Sequence, residues 1–132
     1  MFLPSLITGD LIKQFGHKKM IYAGIVIMFF TIVTHFTFET YYGYMIGLIL
    51  LGVGWNFLFV TGTSLLVVSY NKEDKFLAQG LNDFVVFSSQ SIGALSAGIL
   101  LFSTSWKTLN LICLPLLILL LLFSLLNKKI KK

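Results

Sequence analysis

Four stretches of this chain are apolar for as long as a helix needs to cross a bilayer, and that decides most of what it can become. They run over about 20–38, 44–70, 76–102 and 109–126. Each meets or closely approaches the ~20 residues that span a hydrocarbon core at a rise of about 1.5 Å per residue. A β-barrel fails, because the runs do not alternate and far exceed the ~9–11 residues of a spanning strand. Composition agrees. Of 132 residues 57% are hydrophobic and 11% charged, well short of the roughly 25% charge with which a soluble globule meets water. The expected fold class is all-α integral membrane: four transmembrane helices plus a short N-terminal helical stub, in a single membrane domain over residues 1–132.

Charge placement gives an orientation. The net charge of +5 comes from ten basic against five acidic residues. If the segment from Gly9 to Lys19 is cytoplasmic, four crossings put Lys13, Lys18, Lys19, Lys72, Lys75, Lys128, Lys129, Lys131 and Lys132 on the same side and leave only Lys107 opposite. That is the positive-inside pattern, with a cytoplasmic C-terminus, and it argues against nucleic acid as the partner of the basic residues. Cys113 has no second cysteine to pair with. No nucleophile with a base, no metal-spaced His/Cys cluster and no phosphate-cradling loop occurs, so neither an enzyme nor a cofactor is expected.

Along the chain, Met1 to Thr8 is apolar but too short to span. It reads as an interfacial foot or, preferably, as the end of a spanning helix. No basic region precedes it and no cleavage site follows, so it is not expected to be a signal peptide. Gly9 to Lys19 reads as a polar loop with a glycine near each end, and His17 as a solvated loop side chain. His35, near the far end of the first span, is expected at the headgroup boundary, with a proton-carrying role as the minor alternative. Glu39 to Gly43, with Tyr41 and Tyr42, reads as the turn at the opposite face.

The second and third spans carry the polar residues. In the second, Gly52, Asn56, Phe59, Val60, Thr63 and Val67 share one side at 100° per residue. Asn56 should face protein or a water-filled cavity, as interhelical glue or as a substrate contact. In the third, which follows the charged turn Asn71 to Lys75, Gln79, Asn82, Asp83, Val86, Gln90, Gly93, Ala94 and Ala97 point one way. Leu81, Phe84, Val85, Ile92, Leu95 and Ile99 point the other. Asp83 lies about 12 Å along the helix from Lys75. A carboxylate at that depth is either functional or part of a hydrogen bond near the interface. Trp106 reads as an interfacial anchor, and Pro115 as a bend in an otherwise wholly apolar fourth span.

The segment Gly9, Leu11, Phe15, Gly16, Lys18, Lys19 resembles a loop of the major facilitator superfamily, of the form Gly-x-Leu-x-Asp-Arg-x-Gly-Arg-Lys. Lys13, Gln14 and His17 depart from it, an erosion that looks like the looser copy between the family's eighth and ninth helices. Gly54-Trp55-Asn56-Phe57 and Gln79-Gly80-Leu81-Asn82-Asp83-Phe84 also look like bacterial members. The resemblance implies a partial C-terminal bundle: the last four helices and the end of the eighth, in a fold of twelve. In that fold the tenth helix lines the central cavity, the eleventh meets the other half, and the ninth and twelfth support from outside.

The implied function is secondary active transport of a small solute by alternating access in a bacterial cytoplasmic (inner) membrane. The implied partners are the lipid bilayer, a small-molecule solute and missing transporter helices from another chain or an upstream frame; a fragment alone would be inactive. The candidate residues are Asn56, Thr63 and Gln90 for a substrate cavity and Gln79, Asn82 and Asp83 for gating or proton coupling. Gly9, Gly16, Lys18 and Lys19 carry the loop motif. A stand-alone four-span protein, either a small dimeric transporter or a non-catalytic membrane subunit, is the alternative.

Overall fold

A computed structural model describes residues 2–38 and 40–126. Five helices follow one another: α1 (Phe2–Phe15), α2 (His17–Thr37), α3 (Tyr41–Ser69), α4 (Lys75–Ser103) and α5 (Trp106–Leu126). A 3-10 turn over Lys72–Asp74 precedes α4. Helices α2 to α5 are each long and apolar enough to cross a membrane.

The N-terminal segment differs from its sequence reading. α1 runs straight through Gly9 to Phe15, so Gly9 to Lys19 is not a loop. A single residue, Gly16, separates α1 from α2. Its amide donates to the Ile12 carbonyl at 2.9 Å, and its own carbonyl accepts from the Met20 amide at 3.3 Å, which closes one helix and opens the next. Gly16 sits at φ 81°, ψ 157°, a combination essentially reserved for glycine. The second glycine of the motif is thus required by the backbone, whereas Gly9 is an ordinary helical residue.

The opposite connection is also short. Thr40 caps α3, its hydroxyl accepting from the Gly43 amide at 3.3 Å, which satisfies one of the otherwise unpaired first-turn donors. Glu39, expected in this turn, and the tail Asn127 to Lys132 lie outside the described residues.

The core is the pairing of α2 with α3, on which α5 packs through α2 and α1 through α3. Two glycines set how near α2 and α3 come. A methyl group at Gly24 would meet Leu58 Cγ at 2.8 Å and the Gly54 carbonyl at 3.3 Å; one at Gly54 would meet Met28 Cγ at 3.0 Å and the Gly24 carbonyl at 3.2 Å. Small residues facing each other let helix backbones approach, the main source of helix affinity where lipid replaces water.

Helix α4 stands apart. None of its residues is buried, and among the other helices it touches α5, sparsely. Both its faces, the polar one and the one with Phe84, Leu95 and Ile99, are open. α5 is continuous through Pro115.

Candidate functional site

The candidate residues fall into three separate places. Asn56 is buried on α3 and turned toward α1, where Thr8 Oγ1 lies 2.8 Å from its Oδ1. The same hydroxyl lies 2.7 Å from the Pro4 carbonyl. Asn56 thus makes a polar contact with α1 across the helix interface. Thr63, on the same stripe, is half-buried and donates to the Phe59 carbonyl of its own helix at 2.9 Å. The stripe is not uniform, since Phe59 and Val67 are exposed while Asn56 is enclosed.

On α4, Gln79 Nε2 donates to the Tyr70 hydroxyl at 3.2 Å, tying the start of the helix to the end of α3. Asn82 Nδ2 donates to Asp83 Oδ1 at 3.3 Å, and Asp83 is exposed. Gln90 is exposed one face-repeat further along. Gln79, Asn82, Asp83 and Gln90 therefore form a polar strip on a helix that the rest of the bundle leaves uncovered.

The motif residues gather at the lysine-rich end, around a cavity of about 1070 Å³ whose walls include Gly9, Lys13, Gly16, His17, Lys18 and Lys19. His17 is not a free loop side chain. Its Nε2 lies 3.0 Å from Ser64 Oγ on α3, and the ring is half-buried. Lys18 Nζ sits 5.9 Å above the Tyr22 ring, within reach of a cation–π attraction. Lys13 pairs with Asp10 at 3.2 Å, but both are largely in solvent, so the pair adds little.

At the other end of the bundle a histidine is enclosed by other side chains. His35 is only 3% exposed, and among the described residues neither ring nitrogen has a hydrogen-bond partner. Its ring packs against Gly47, where any side chain would strike it, and lies edge-on to Trp106 at 5.4 Å and tilted to Tyr44 at 5.9 Å. Trp106 thus covers His35 as well as marking the start of α5. The glycine at position 47 is the sequence sign of this packing, and its link to a histidine twelve residues earlier needs the α2–α3 register to be known.

The whole chain, residues 1–132, matches the family model described as Major Facilitator Superfamily. Over 134 aligned residues it is 35% identical to the riboflavin transporter RfnT of Brucella anthropi, an alignment covering 99% of this chain and 33% of that protein. Two uncharacterized MFS-type transporters of Bacillus subtilis also match. YdeG is 33% identical over 85% of this chain and YddS 32% over 84%, each across 26% of its own length. The chain thus spans about a third of the length of RfnT and about a quarter of the other two. No solved structure matches it. With four membrane-length helices matched from end to end, the chain belongs to the major facilitator superfamily, whose members are transporters and not enzymes.

Proposed function

We propose that the chain is the C-terminal portion of a secondary transporter, contributing the end of the eighth helix as α1 and the ninth to twelfth as α2 to α5. It moves a small solute by alternating access together with the remaining helices, and it does not transport alone. In this arrangement α3 borders the central cavity, α4 meets the other half, and α2 and α5 support from outside. The lysine-rich end then faces the cytoplasm of a bacterial inner membrane.

The observation that supports this reading is α4. It exposes Asp83 and Gln90 along one face, with Gln79 half-buried at its start, and has no buried residue. A polar strip left against hydrocarbon costs free energy, so it belongs against protein or a water-filled path. Transport by rocking of two halves needs such a surface on the helix between them.

Complementation tests the reading. RfnT deleted for its last four helices is co-produced with this chain, and riboflavin uptake is measured because that is the solute in the relative's name. Restored uptake, with no restoration of an RfnT deleted for its first four helices, supports the C-terminal placement. Rescue of only the N-terminal deletion refutes that placement. Rescue of neither refutes the reading that this chain completes a transporter of the RfnT type.

A further inference from the structure

We propose that the cleft between α2, α3 and α5 holds one acyl chain of a bilayer phospholipid, with His35 at its mouth. Two spaces meet at the histidine. The outer, of about 330 Å³, is lined by His35, Tyr44, Leu48 and Trp106. The inner, of about 380 Å³, continues from His35, Leu48 and Trp106 past Leu51, Trp55 and Cys113 to Leu120.

The dimensions select the occupant. Trp106 and Leu120 are about 20 Å apart along α5 at the helical rise. The space of about 380 Å³ is drawn out along the helices over a length comparable to one leaflet of a ~30 Å hydrocarbon core, the direction and reach of an acyl chain. The walls are almost wholly apolar, so water gains few partners there, and an empty space would forfeit contacts along its lining.

The chemistry at the mouth fits the other end of such a chain. A neutral imidazole carries one N–H donor, and both His35 nitrogens are enclosed and without a hydrogen-bond partner among the described residues. Leaving that donor unmade is costly. A turn of the ring away from Gly47 presents a nitrogen to the outer space, where a lipid ester carbonyl accepts. Tyr44 and Trp106 beside it are the residue types that sit at headgroup level. Among the described residues, those lining the two spaces include no lysine, arginine or carboxylate, and a neutral ester carbonyl is an acceptor that needs no counter-charge.

Trp55 and Trp106 are the chain's only two tryptophans, and both line the inner space. The protein in detergent micelles is titrated with phosphatidylglycerol brominated across its acyl double bonds, and tryptophan emission is followed. We expect quenching that saturates near one lipid per chain. Cys113→Phe, which fills the inner space, should raise the midpoint about tenfold, whereas Cys113→Val should not. Leu51→Phe repeats the test from the facing wall should Cys113→Phe lose helicity. Quenching that rises in proportion to brominated lipid and is unchanged in both filled variants overturns the site. Tighter saturation by brominated oleic acid overturns the phospholipid as its occupant, and an unchanged midpoint in His35→Phe overturns the carbonyl contact.

Discussion

Thr8 and Asn56 meet across the α1–α3 contact through a hydroxyl that has more acceptors than protons. Thr8 Oγ1 is 2.7 Å from the Pro4 carbonyl and 2.8 Å from Asn56 Oδ1, yet a threonine donates once. Both contacts are satisfied together when the Asn56 amide is turned over. Nδ2 then donates to Thr8, and Thr8 donates to Pro4. Thr8→Ser should therefore be near neutral. Thr8→Val should cost about 1 kcal/mol by removing the hydroxyl from Asn56, and Asn56→Asp should cost more because it puts a charge in an enclosed site. Unfolding in mixed micelles, run as a double-mutant cycle, measures the coupling.

The glycine crossing predicts a steric series. Gly24→Ala and Gly54→Ala push into Leu58 and Met28 and should each lose on the order of 1–3 kcal/mol. Gly62→Ala and Gly98→Ala, with nothing within 4 Å, should be neutral or gain up to about 1 kcal/mol from helix propensity. Thermal unfolding of the four variants side by side checks both halves of the statement.

His17 should be worth more than a loop residue. Removing the Ser64 contact with Ser64→Ala or His17→Ala should each cost about 1 kcal/mol, and the double variant little beyond either single one. Gly16→Ala should cost at least as much, through its φ of 81°. Cysteine accessibility at Lys13 and Lys18 should rise in all of these if the junction loosens.

Asp83→Asn keeps the shape of the side chain and removes its charge. In the complemented transporter this substitution should slow solute exchange and alter its pH dependence. Uptake unchanged in both respects removes Asp83 from the coupling mechanism. Gln90→Leu, two turns away on the same strip, separates a general need for polarity from a need for the carboxylate.

What the sequence made legible follows from which forces are local. Apolar length alone locates α2 to α5, because a spanning helix satisfies its backbone within itself. Phasing alone identifies the polar strip of α4. Contacts set by the third dimension were not readable: the Thr8–Asn56 bond, the His17–Ser64 bond and the burial of His35 beneath Trp106 each join residues of different helices. Gly9 misled because glycine in lipid-embedded helices is common, so it does not mark a turn there as it does in water.

Gly16 carries a mechanical consequence. A joint of one non-helical residue has two soft torsions, and one of them lies where other residues cannot follow. The angle between α1 and α2 is therefore set at a single residue. The His17–Ser64 bond is anchored one residue past that joint, so the start of α2 is held both by the chain and by α3, and the three helices share one point of attachment.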